Sequence, residues 1–174
     1  MDLATLTQRL HRLEAAAACR TCLTRYLQLC DDLTPATPWP ELGQLFAEDA
    51  VWEGIGPRYA ASFGRHEGRA AILTMVGGYV AGGTHFQMNA HFLTSEHLVV
   101  NAAGDHAVGS WLMLQTSRFH DGRSHLTSAQ LTVQFVPEDG RWCMSLFQTQ
   151  NIFSRPISDW DSNAALSVPP AALG

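Results

Sequence analysis

Two side chains stand out as able to move protons: the carboxylate of Asp31 and the imidazole of His85. An ordinary histidine, with a pKa of about 6.5, takes up and returns a proton near neutral pH. A carboxylate bonded to one ring nitrogen would fix the tautomer, leave the other nitrogen free and stabilise the imidazolium. That chemistry suits elimination of water, double-bond migration or aldol-type ring closure. Each removes a proton beside a carbonyl and delivers one elsewhere, and none requires a metal or an organic cofactor.

His85 opens "THFQMNAHF" (84–92), which alternates with period two. Phe86, Met88, Ala90 and Phe92 form one series, and His85, Gln87, Asn89 and His91 the other. The polar series either meets water or lines a pocket. His91 shares the parity of His85 but lies six residues on, at a cavity rim or in solvent. Asp31 continues the stripe of Leu23 and Leu27 at helical spacing, so it looks inward. Asp32 follows Gln28 and Arg25 on the solvated side. A carboxylate at a helix C-terminus opposes the macrodipole, so Asp31 either merely ends the helix or has a partner.

The elements that would position these residues follow from the periodicity. Residues 3–33 predict one long helix, with Leu3, Leu6, Leu10 and Leu13 recurring at helical spacing. Three prolines break the chain at 34–41. "ELGQLFAED" predicts a short helix, 50–56 a short strand, 57–64 a loop carrying Tyr59, and 66–82 a third helix. Four long strands follow at about 84–101, 106–120, 124–137 and 141–154, joined by Gly and Asp-Gly turns. Helices before an antiparallel meander predict an α+β fold: three N-terminal helices on one face of a curved sheet, enclosing a cavity. The expected domain is 1–154, with an irregular tail over 155–174.

Apolar residues make up 46% of the 174 and charged residues only 16%, which fits a compact chain with much buried surface. A net charge of −5 argues against a nucleic-acid or anionic-membrane binder. The start of the chain has no uninterrupted apolar segment of the secretory kind, and no run is long enough to span a bilayer. Cys19 and Cys22 form a CxxC without a second pair, so Cys19, Cys22, Cys30 and Cys143 read as buried thiols of a cytoplasmic protein. His85 and His91 lack a carboxylate at ligand spacing, so no metal site is expected. His97, His106, His120 and His125 lie near strand ends and read as surface residues.

The order of elements and several local motifs resemble the NTF2-like superfamily, specifically its SnoaL-like branch of polyketide cyclases, scytalone dehydratase, bile-acid dehydratase and a dehydrochlorinase. The motifs are "RYLQLCDDL" (25–33), "LFAEDAVWEG" (45–54), "GRHEGRAAI" (64–72), "THFQMN" (84–89) and "EDGRWCMSLF" (138–147). The resemblance implies an Asp31–His85 dyad, with Asp31 orienting the ring. It implies that Tyr26 helps polarise a substrate carbonyl, with Trp52 near the place of a second tyrosine and Tyr59 as its substitute. Ser110 falls where a relative has a second pocket histidine, and Asn89 accompanies His85. Ser128 and Gln130 weakly resemble a later Ser-x-Asn pair. The arginine of the dehydrochlorinase branch is missing from "VQFVPEDG", which argues against dehalogenation. A homodimer through the outer sheet face is implied by the resemblance alone.

Two readings remain. One is a cofactor-independent lyase or isomerase acting on a small hydrophobic ring compound bearing a carbonyl and a hydroxyl. His85 would be general acid and base, Asp31 its orienter, and Tyr26, Trp52, Tyr59, Asn89 and Ser110 the substrate contacts. The other is a non-catalytic module that binds a hydrophobic ligand or assembles with itself or another protein.

Overall fold

The computed structural model describes residues 2–158. Helix α1 runs Leu3–Asp31, and Asp2 caps it by accepting the Thr5 N–H at 2.7 Å. Alanines and leucines favour this helix, and it ends four residues before Pro35. Then come α2 (Trp39–Gln44), β1 (Phe46–Ile55), α3 (Gly56–Phe63), β2 (Arg65–Glu67) and α4 (Arg69–Gly77), which ends in a 3-10 turn at Gly78–Val80. Four long strands follow: β3 (Phe86–Val100), β4 (Ala107–Phe119), β5 (Ser124–Glu138) and β6 (Arg141–Ile157).

The strands form one sheet in the order β2-β1-β6-β5-β4-β3. All neighbours are antiparallel except β1 and β6, which run parallel. The architecture is therefore α+β, with the helices packed on one face of a curved sheet. Ala129, Leu131, Val133 and Phe135 of β5 are fully buried on that face. The alternate residues Ser128, Gln130, Thr132 and Gln134 therefore take the outer face. Among the described residues, no helix is long and apolar enough to cross a membrane.

Several expected boundaries are corrected. Residues 46–49 are strand, not helix: Phe46 pairs with Met144 of β6, and the Met144 N–H donates to Leu45 O at 2.8 Å. The loop expected at 57–64 is α3, whose Pro57 suits a first helical turn. The third expected helix yields its start to β2, and Gly68, at φ 85°, separates the two elements. Strand β6 continues to Ile157, so residues 155–157 are not irregular. The rest of the expected tail, from residue 159, lies outside the described residues.

Candidate active site

The last turn of α1 meets the middle of β3, and the site is built at that crossing. Asp31 Oδ1 accepts from His91 Nδ1 at 2.6 Å and from Asn89 Nδ2 at 3.2 Å. Its Oδ2 accepts the His91 backbone N–H at 3.1 Å. The carboxylate thus takes three donors, which offsets the unfavourable helix terminus. Asn89 is buried, and its Oδ1 accepts from Gln115 Nε2 at 2.9 Å and Ser117 Oγ at 2.7 Å, both on β4. The amide orientation is therefore fixed by partners at both ends.

His91 lines a cavity of about 350 Å³ between the helices and the sheet. With Nδ1 committed to Asp31, its Nε2 has no hydrogen-bond partner among the described residues. Leu27, Val76, Phe86, Met113, Leu131 and Phe147 make much of the wall apolar. Its polar groups include Tyr26, Gln115, Arg58 and three histidines, His85, His91 and His125, but among the described residues no carboxylate.

Deeper in, Trp52 Nε1–H donates to the Tyr26 hydroxyl oxygen at 3.0 Å. Trp52 stacks on Phe147 with centroids 5.5 Å apart, and Tyr26 meets Phe46 and Phe147 edge-on. Burial pushes the Tyr26 phenol well above its ordinary range. It pushes the adjacent Cys30 thiol up to about 12. Both groups stay protonated at neutral pH, so Tyr26 keeps a hydroxyl hydrogen to donate.

The expected partner of Asp31 is corrected from His85 to His91. Six extended residues span roughly 20 Å, so one carboxylate does not serve both positions. A bulge between Phe86 and Met88 adds a second obstacle, because it switches the facing of residues before and after it. His85 still lines the cavity, packed edge-on against Tyr79, Phe86 and Phe119 at 5.3, 4.6 and 5.4 Å. His91 is neither at a rim nor in solvent: its side chain is only 10% exposed. The polar series of the strand faces inward at Asn89 and His91, and Phe92 of the apolar series is 54% exposed.

The other expected residues divide. Tyr26, Trp52, Tyr59 and Asn89 line the cavity. The Asn89 amide is spent on Asp31, Gln115 and Ser117, and the Trp52 N–H on Tyr26. Ser110 does not line it: it pairs with His97 and Thr132, on the opposite parity from Met113, Gln115 and Ser117. Gln115 and Ser117 take the place expected of it on β4. Gln130 is exposed, and Ser128 donates to Met113 O, so neither contributes. His125, expected at the surface, is a wall residue, and parity with Thr127 was the available signal. Among the described residues, no three His, Cys, Asp or Glu side chains converge as a metal site would require.

Residues 11–148 match the SnoaL-like domain family. The chain belongs to that family. The SnoaL-like domain covers most of the described chain and includes Asp31, His91, Tyr26 and Trp52. A type-3 hexachlorocyclohexane dehydrochlorinase from Novosphingobium barchaimii is 22% identical, with a TM-score of 0.70 over 93% of this chain and 99% of that one. A candidate scytalone dehydratase from Novosphingobium aromaticivorans is 19% identical, with a TM-score of 0.68 over 83% and 89%. An NTF2-like protein of cystatin-like fold from the same species is 22% identical, with a TM-score of 0.65 over 87% and 90%. At these identities the likeness establishes a shared SnoaL-like fold. No curated protein sequence matches the chain.

Proposed function

We propose that the protein is a lyase or isomerase that moves a proton within a small, hydrophobic ring compound bearing a carbonyl and a hydroxyl. The observation that carries this reading is the Asp31–His91 pair, with Nδ1 held at 2.6 Å on a ring that lines the cavity. In the reaction, His91 Nε2 removes a proton from the carbon beside the carbonyl. Asp31 holds the ring's orientation and stabilises the imidazolium. The imidazolium then returns the proton, either to a departing hydroxyl or to another carbon of the substrate. Tyr26 donates its hydroxyl hydrogen to the carbonyl oxygen where negative charge develops. The Trp52 N–H on the phenol oxygen strengthens that donation.

The substrate class follows from the wall. A volume of about 350 Å³ lies at the small end of ligand pockets. Apolar and aromatic side chains favour rings, and a wall with no carboxylate among the described residues favours carbonyl and hydroxyl oxygens. The relatives named as a dehydrochlorinase and a candidate dehydratase are compatible with elimination.

The test is NMR of a panel of small cyclic β-hydroxyketones in deuterium oxide. The expected result is deuterium incorporation beside the carbonyl, or enone formation, lost in His91→Gln and retained in His85→Gln. A panel that binds without exchange, or exchange that survives in His91→Gln, would instead leave a binding module.

A further inference from the structure

We propose that the cavity binds an anionic ligand, with Arg58 at its mouth holding a carboxylate carried on the ring compound. The placing of the ring against His91 rests on the proton-transfer reading above; the anion site rests on the wall itself. Arg58 lies in the first turn of α3, exposed where the cavity it lines meets solvent. Arg20, Arg25, Arg65, Arg69 and Arg123 each hold a carboxylate of the chain. Arg58 makes no hydrogen bond or ion pair with any described residue. Carboxylates are not scarce, since the chain has 16 acidic and 11 basic residues. Among the described residues none of them lines the cavity, so the wall offers Arg58 no internal partner and an incoming anion no repulsion.

Hydroxyl donors accompany the guanidinium. Ser62, four residues on along the same face of α3, also lines the cavity. From the sheet come Thr127 and Ser154, cross-strand partners whose hydroxyl oxygens are 3.1 Å apart. Ser154 Oγ also accepts from Asn151 Nδ2 at 3.2 Å. The bond between the two hydroxyls uses one of their two hydrogens, and the other is left to donate. A planar guanidinium fork matches the two oxygens of a carboxylate. A cavity of about 350 Å³ has room for a small ring with such a group, and little for a nucleotide. Strand register sets which end of the ligand faces which group. His91, Gln115, Thr127 and Ser154 are successive partners in one row from β3 to β6. Three strand intervals separate the ends of that row, roughly 14 Å between backbones. Helix α3 follows β1, which pairs with β6, so Arg58 belongs to the Ser154 side of the cavity and His91 to the other. With side chains reaching in from both sides, one ring bridges them, its carboxylate on Arg58 and its carbonyl-bearing edge at His91.

Titration calorimetry of the full chain with cyclohexane carboxylate, oxocyclohexane carboxylate and the neutral methyl ester of each tests this. The wild type should bind each acid about tenfold or more tightly than its ester, a gain kept to that order by screening at a mouth open to water. Arg58→Gln should erase the preference by weakening the acids, with its thermal midpoint held because Arg58 bonds to no described residue. Arg58→Lys, which keeps the charge but not the fork, should keep part of the preference. Acids that bind no better than their esters, or a preference that survives Arg58→Gln, would overturn the proposal. So would inorganic phosphate that displaces oxocyclohexane carboxylate as readily as cyclohexane carboxylate does, which would make this a phosphate site. The proton-transfer reading fails separately. An Arg58-dependent preference for the acids, with no deuterium exchange across the ketone panel, would remove that reading and leave the anion site standing.

Discussion

Asp31 holds His91 at two points, the ring through Nδ1 at 2.6 Å and the backbone N–H at 3.1 Å. One carboxylate thereby sets both the rotation of the imidazole and the position of the strand that carries it. Asp31→Asn should lower kcat by about a hundredfold or more, through loss of tautomer control and imidazolium stabilisation, with KM less affected. His91→Gln should be at least as damaging, and His85→Gln should retain most of kcat. Steady-state kinetics on the responsive ketone check the order. Equal losses for His85→Gln and His91→Gln would assign the proton to the wrong ring.

Trp52→Phe removes the indole N–H that donates to the Tyr26 oxygen, leaving the Cys30 thiol as its neighbouring polar group. Tyr26 is 4% exposed, so water does not readily replace it. A stability loss of about 1–2 kcal/mol is expected, from a lost buried hydrogen bond and a smaller ring. Urea unfolding measures it. An unchanged midpoint would show that the hydrogen bond contributes nothing.

Alkaline pH should unfold the protein through its thiols and phenols. The chain has no lysine, and arginine does not titrate below about pH 12. Burial raises the Cys19, Cys22 and Cys30 thiols from 9.0 to about 12, and raises Cys143, Tyr26 and Tyr79 as well. Above pH 9 the unfolded chain loses protons that the native state keeps, so stability is full below 9 and falls between 9 and 12. Urea midpoints at rising pH should decline across that window, and Cys30→Ala should flatten the decline. A flat profile in the wild type would refute it.

At Gly54, β1 runs against α3 with no room for a side chain. A Cβ there would collide with the Tyr59 backbone oxygen and lie 3.0 Å from Phe63 Cβ. Gly54→Ala should therefore displace α3, destabilising by about 1–3 kcal/mol, and should weaken ligand binding because Tyr59 and Phe63 line the cavity. Calorimetry with a cavity ligand checks both effects. Wild-type affinity and stability would mean that α3 moves aside without cost.

The sheet was the most legible part of the fold. Residues 107–119 and 124–138 alternate cleanly and end at Asp-Gly turns, so β4 and β5 were readable to within a residue or so. "LFAED" was misread because its strand character comes from β6, where Phe46 pairs with Met144, 98 residues away, and no local period reports that pairing. Asp31 was legible as an inward carboxylate from the stripe of Leu23 and Leu27. Its partner was not: where α1 crosses β3 depends on tertiary packing, and the bulge at Phe86–Met88 breaks the count along the strand. Ser110 failed for a related reason. Parity separates two faces, but it does not name the one that holds the cavity until a neighbour such as Trp111 is seen buried.

The parallel seam between β1 and β6 also governs when the site can exist. Trp52 pairs with Phe147, so the strand that seats Trp52 waits for a segment synthesised about 95 residues later. Until then, Tyr26, Trp52 and the apolar row of β5 have no finished sheet to cover them. Such late, long-range closure slows folding and leaves sticky intermediates. Chains cut short before residue 141 should aggregate during synthesis.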